Sequence, residues 1–394
     1  MINKKYKEMT GKGSVIREFF TYSNQKAKEI GAENVFDFSI GNPSVPTPAE
    51  FTDYMIELLQ TQNPVSLHGY SPSLGIDSTR QAVADSLNQR FGMNYTMKHI
   101  FMTTGAAGAI AHAVRCVVKD GDEVLTFAPY FPEYVPYIEG TGAHLTIVPA
   151  DIDTFQINFD ELEKAMNPNV SAILVNSPNN PSGIVYSTDT IKKLATLMEK
   201  KQEEYGHDIY LISDEPYREI VFTEDSPFIS KYYDNSICCY SFSKSVSLPG
   251  ERIGYVAVNP NCKDAELIIL MCGQISRFTG HNCPPSIIQL GIEKILNMTS
   301  DLSIYEENKN ILYKELTRIG YHIVEPGGTF YMFPRSLIAD ANEFCWKAAN
   351  ELNLIIVPGD SFNCPGHFRI SYCVTTDKVK RSIPLFEKLY NMYN

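Results

Sequence analysis

The stretch SFSKSVSLPGERIGY, residues 241–255, places one amine, Lys244, among small hydroxyl residues and returns with a guanidinium, Arg252, eight positions later. Such a set could do two jobs at once. The amine forms a covalent bond, while hydroxyls and the guanidinium receive a phosphate nearby. A lone lysine in a Ser-rich loop is otherwise simply solvated, so the rest of the chain has to decide. Other polar runs with reactive content are SPNNPSG (177–183), SDEPY (213–217) and FRISY (368–372).

These runs need elements to hold them. From about residue 100 to 260 short β-rich runs alternate with helical ones: HIFMTTG, EVLTFA, HLTIVP, AILVNS, IYLISD, SICCYSF and IGYVAV. Helical spacing marks AAGAIAHAVRCVV and a segment near 188–205. Such alternation predicts an α/β fold with a mostly parallel sheet between helices. Runs as continuously apolar as AILVNS predict strands buried on both faces. SPNNPSG, DEPY and SFSK each follow such a strand, and open α/β sheets bind ligands at the carboxyl ends of their strands. Three strand ends therefore point to one site.

Beyond about residue 291, IEKILNM and EENKNILYKELTRIG read as helical, with strand pieces IIVPG and FRISYC after them. The expected division is an N-terminal segment 1–45, containing the helix-like SVIREFFTYSNQKAKEIGA and packing with the small domain, a large domain 46–290 and a small α+β domain 291–394.

Composition narrows the function classes. The 394 residues are 44% hydrophobic and 20% charged, with a formal net charge of −12, which argues against a nucleic-acid partner. The opening MINKKYKEMTGKGS has no apolar core of a secretion signal, and LIILM (267–271) is far too short to span a bilayer. Nine scattered cysteines without a CxxC predict reduced thiols in a cytoplasmic protein, and no metal-ligand spacing occurs.

With the strand-end motifs SPNNPSG, SDEPY and SFSKSVSLPGERIG in this order, the chain resembles the class I aminotransferases of fold type I, enzymes of pyridoxal 5′-phosphate, over essentially its whole length. The resemblance implies that Lys244 binds the cofactor covalently and then moves the substrate proton. Asp214 would keep the cofactor's ring nitrogen protonated, and Tyr217 and Asn180 would hydrogen-bond its phenolic oxygen. Gly105, Ala106 and Ala107 in TTGAAGA would offer backbone amides to the phosphate, with Ser241 and Arg252 completing the cup. Phe131 in APYFPEY would lie on the cofactor face, with Tyr130 as the alternative. Arg369 would bind the substrate α-carboxylate, helped by Gly41 in SIGNPS and by Asn180. Tyr70 in HGYSPSLG would reach the phosphate of a partner subunit, which implies a homodimer with shared sites.

The implied activity moves an amino group from an L-amino acid to a 2-oxo acid such as 2-oxoglutarate. Two departures bear on the donor. The TTGAAGA turn lacks the lysine that some aspartate-using relatives place there, and Arg277 lies one residue out of line with the partner-subunit arginine of other dicarboxylate-specific relatives. Arg277 tips the expectation slightly toward aspartate, with aromatic and neutral donors open. The alternative activity is a pyridoxal-phosphate C–S (β) lyase of the same fold. His281 and His68 receive no role.

Overall fold

The computed structural model describes residues 14–394 together with Ile2, Lys4 and Lys7. Most of the charged opening MINKKYKEMTGKGS, and with it part of the 1–45 segment, lies outside the described residues.

Seven of the expected strands form one sheet: β1 Ile100–Thr103, β2 Glu123–Phe127, β3 His144–Val148, β4 Val170–Asn176, β5 Tyr210–Asp214, β6 Ser236–Ser241 and β7 Gly254–Val258. Their order across the sheet is β1-β7-β6-β5-β4-β2-β3. All neighbours run parallel except β7, which is antiparallel to both β1 and β6. The α/β fold class is thus the observed one.

The continuous apolar runs have the physical cause expected of them. On β4, Ala172 and Leu174 join the cluster that contains Ala109, Ile110, Ala113 and Val114 of helix Ala106–Val117. Ile173 and Val175 point the other way, against Ile191, Leu194 and Met198 of helix Thr188–Tyr205. Each fully buried Leu or Ile contributes about 1.5–3 kcal/mol, so a polar residue at either face of β4 would be costly. Polar side chains are therefore displaced to the strand ends, which is where the ligand-facing groups collect.

Beyond the sheet, helix Val15–Ile30, the strand pair Phe36–Asp37 with Leu354–Ile355, and helices Ser303–Ile319, Ala341–Leu352 and Thr376–Asn391 surround a second core. Phe19 and Phe38 sit in it with Tyr305, Phe344 and Phe368, and Trp346 stacks on Phe19 at 4.4 Å between ring centroids. A three-stranded antiparallel sheet carries Tyr331–Met332, Phe368–Ser371 and Val357–Pro358.

One local expectation fails. IEKILNM does not open a helix; the helix is Ser286–Ile292, and Glu293–Asn297 are turns. Ile292 and Ile295 are fully buried there, so the apolar spacing that resembles a helical face instead seats a turn on the large core.

Candidate active site

Three parallel strands end side by side, and their last residues face one cavity of about 310 Å³. Asn176 ends β4 and Asp214 ends β5, and the two are direct neighbours in the ladder. Ser241 ends β6, and the short helix Phe242–Ser245 that follows presents Lys244 to the same space. Strand geometry alone brings these four together.

The Asp214 carboxyl is buried, with Oδ2 accepting from Tyr134 Oη at 2.5 Å and Oδ1 without a partner. Burial pushes its pKa up to about 7, against the Tyr134 bond, which favours the charged form. Asn176 steadies the strand end: its Nδ2 donates to the Asp214 carbonyl at 2.9 Å, and its Oδ1 accepts from the Asn180 amide at 2.7 Å. Lys244 is half-buried, and its Nζ donates to the Gly41 carbonyl at 2.6 Å. Desolvation brings its pKa down to about 8, with Arg369 and Arg252 acting in the same direction.

Arg369 lies on the small-domain strand Phe368–Ser371, fully enclosed between the rings of Tyr331 (4.6 Å) and Phe362 (4.8 Å). Its Nη1 donates to Asn180 Oδ1 at 3.0 Å, its Nη2 donates to the Ser39 carbonyl, and its Nε has no partner. That arrangement commits the Asn180 oxygen and leaves its amide nitrogen as a donor. Tyr217 shares a 3.1 Å hydrogen bond with Tyr331 across the same floor, and burial raises its pKa well above the ordinary phenol value.

On the opposite side, helix Ala106–Val117 begins at Gly105, whose φ of 83° suits glycine. A Cβ at Gly105 would come within 3.0 Å of Arg252 Nη2 and 3.4 Å of Ser241 Oγ. Arg252 itself holds φ 51°, a left-handed conformation that costs a non-glycine residue about 1–2 kcal/mol and is retained mainly where function demands it. Ser241 and Ser243 share a 2.7 Å hydrogen bond. Helix amides, two hydroxyls and a guanidinium thus surround one small volume, the chemistry of an anion site.

Of the residues singled out in the sequence, Gly41, Ala106, Ala107, Phe131, Asn180, Asp214, Tyr217, Ser241, Lys244, Arg252 and Arg369 all line this cavity, and Gly105 stands behind Arg252. Phe131 faces the cavity, whereas Tyr130 is buried against Tyr134. Tyr70 and Arg277 are not brought in: both are exposed, and Tyr70 lines a separate cavity. Tyr134, Asn176, Ser243 and Tyr331 were missed. Asn176 was within reach of the strand-end rule, while Tyr331 carries no local signal because it arrives from the other core.

The sequence model of the class I and II aminotransferases matches residues 33–383. The chain belongs to that family. This aminotransferase is 28% identical over 376 residues to the aspartate aminotransferase of Thermotoga maritima, covering 93% of this chain and 94% of that one. It is 29% identical over 380 residues to aromatic-amino-acid aminotransferase 2 of Thermococcus litoralis, covering 91% and 92%. Among solved structures, an aminotransferase from Eubacterium rectale superposes with a TM-score of 0.97 at 47% identity, covering 100% of this chain and 99% of that one. The enzyme is a transaminase of pyridoxal 5′-phosphate, and each of these relatives is named an aminotransferase.

The residues present fit that cofactor on two observations. Asp214 Oδ1 is a buried acceptor with no partner, as a protonated ring nitrogen requires, and the space a Gly105 Cβ would fill is bounded by Arg252 and Ser241, as a phosphate requires.

Proposed function

We propose that this aminotransferase carries an amino group from an L-amino acid to a 2-oxo acid such as 2-oxoglutarate, as a cytoplasmic homodimer with shared active sites. The observation that carries this reading is the convergence of Lys244, Asp214 Oδ1 and Arg369 on one cavity. When bound, pyridoxal phosphate supplies the aldehyde that Lys244 takes up and an electron sink for bonds at the substrate Cα. Lys244 Nζ, with its depressed pKa, acts first as nucleophile and then as the base that moves the Cα proton. Asp214 would keep the cofactor's ring nitrogen protonated through its Oδ1, and Tyr217 and Asn180 would donate to the phenolic oxygen. Gly105, Ala106, Ala107, Ser241 and Arg252 would hold the phosphate, and Phe131 would lie on the ring face. Arg369 would bind the substrate α-carboxylate, with a backbone contact from Gly41 and a further contact from Asn180.

Relatives named aspartate aminotransferases support aspartate as the first donor. An apolar or aromatic donor is the second reading, favoured by the Ile16, Ile40, Ile110 and Tyr137 lining and by a turn after Gly105 that carries no cation. Aspartate would then depend on Arg277 of a partner subunit. A single-turnover absorbance assay on the loaded enzyme, with a panel of L-amino acids and no oxo acid, decides between them. Stoichiometric conversion by aspartate, lost in Arg277→Ala, supports the first; conversion by phenylalanine alone supports the second. Conversion by no amino acid overturns the transamination reading.

Arg369→Lys should raise KM for the amino donor about 10- to 100-fold and shift cofactor affinity far less, because a lysine cannot offer the planar fork. Steady-state kinetics beside a cofactor titration measure both.

The homodimer is supported by the exposed apolar side chains Leu267, Leu270 and Phe278 along helix Ala265–Thr279, with Ile56, Leu59 and Val65 also exposed. A Leu270→Asp variant should sediment as a monomer and lose activity, since Tyr70 could no longer reach a partner's phosphate. A monomeric, fully active variant would exclude the shared site. The cytoplasmic reading is supported by nine free cysteines. No described helix is long and apolar enough to cross a membrane. The division 1–45, 46–290 and 291–394 is supported by separate cores, with Phe19 and Phe38 packed among C-terminal residues.

A further inference from the structure

Behind the phosphate side of the cavity lies a contact that none of the assigned roles uses. His281 follows helix Ala265–Thr279, and its Nε2 is hydrogen-bonded to Thr104 Oγ1. Thr104 is the residue before Gly105, and it is held at its other end too: Arg252 Nη2 donates to the Thr104 carbonyl at 3.3 Å. One residue earlier, Thr103 Oγ1 donates to the Gly105 carbonyl at 3.0 Å.

The approach of His281 is built into the helix. A Cβ at Gly108 would lie 2.9 Å from His281 Nε2 and 3.0 Å from Thr104 Oγ1, so the first helical turn must be bare there. His281 is in turn fixed by Ser276, whose carbonyl accepts from the His281 amide at 3.0 Å and whose Oγ donates to the His281 carbonyl at 2.7 Å. The ring of His112 packs beneath it at 5.4 Å between centroids, anchored through Nδ1 to the Gly108 carbonyl at 2.7 Å. Its Nε2 is buried without a partner.

The turn needs such an anchor for a chemical reason. Ala106 and Ala107 bring no side-chain donor, so the cup depends on the direction of backbone amides. Gly105 is free to adopt many conformations, so its φ of 83° depends on the contacts made by its own carbonyl, with Thr103 Oγ1 and the Ala109 amide, and on those made by Thr104 before it. We infer that His281 is a positioning residue for the cofactor's phosphate: through Thr104 it holds the Thr104–Gly105 turn so that the helix amides and Arg252 face the anion. This deepens the pyridoxal-phosphate reading and rests on it. It also ties the cup to the loop that follows, Asn282–Pro285, which lines the second cavity together with Tyr70.

The test compares two ligands that differ only in the phosphate. Dissociation constants for pyridoxal 5′-phosphate and for pyridoxal are measured by absorbance titration on the metabolite-free, full-length protein. His281→Ala should weaken the phosphorylated ligand about two- to twelvefold, the range for one lost hydrogen bond, and leave pyridoxal unchanged. His281→Gln, which keeps a hydrogen-bonding group at similar reach, should recover most of the loss. Thr104→Val should show the same selective loss, and serves if the histidine variant does not fold. Equal weakening of both ligands, or of neither, overturns the proposal. A wild-type protein that binds the phosphorylated ligand no better than pyridoxal would instead overturn the phosphate cup itself.

Discussion

A Lys244→Ala variant should lose at least about four orders of magnitude in transamination turnover, because on the proposed reading one side chain would be both the covalent anchor and the base at Cα. The structure shows why a lysine at this place can serve. Its Nζ is held by the Gly41 carbonyl at 2.6 Å, with Arg369 and Arg252 as the nearby cations, and its pKa is brought down to about 8. At pH 7.5 that leaves roughly a quarter of the amine neutral, against about one part in a thousand for an unperturbed lysine. Cofactor uptake by the wild type should therefore quicken as pH rises and level off above about 8. Stopped-flow absorbance on the empty protein reads that profile, and turnover assays read the variant. The variant should still hold the cofactor noncovalently, since the phosphate cup is untouched. Full activity in Lys244→Ala would sink the assignment of this residue.

The second large effect concerns Asp214, where stability and activity should move in opposite directions. In the empty protein the folded-state pKa is about 7 against an ordinary value of 3.8, with burial as the main cause. The folded state therefore keeps a proton that the unfolded chain releases from about pH 4 upward. Stability of the empty protein falls as pH rises through that window and stays reduced above about 7. A shift of that size corresponds to at most about 4 kcal/mol, an upper bound because local opening admits water. Asp214→Asn removes the penalty, so the empty variant should melt higher than wild type at pH 8 and equally at pH 4. On the proposed reading the same change would remove the negative charge that keeps the ring nitrogen protonated, and turnover should fall at least about 10³-fold. Melting curves of the empty proteins at both pH values, beside turnover of the loaded ones, measure the pair. A variant that is less stable at pH 8 would mean that Oδ1 already has a partner in solution.

Much of this was legible without coordinates. The seven sheet strands stand where alternating apolar runs placed them, because burial on both faces leaves no room for another pattern. The strand-end residues Asp214 and Ser241, and Lys244 just past a strand, were legible for a related reason: charged and strongly polar groups are costly inside such strands, so they collect where the strands stop. The turn at Glu293–Asn297 was not legible, since apolar spacing over seven residues does not separate a helical face from a turn pressed on a core.

What the sequence by itself determined was the kind of chemistry: one nucleophilic amine, a carboxylate, a guanidinium fork and a glycine turn ahead of a helix, each a property of residue type and nearest neighbours. Only the tertiary structure decided how those groups are tuned and joined. Lys244 meets Gly41 across 203 residues, Asp214 meets Tyr134 across 80, and Arg369 meets Asn180 across 189. It also left Arg277 and Tyr70 on the surface and brought Thr104 to His281 across 177 residues. The physical reason is that a pKa and a hydrogen-bond partner depend on desolvation and on atoms within a few ångströms. Those atoms come from wherever two cores bring the chain together, and local sequence does not record it.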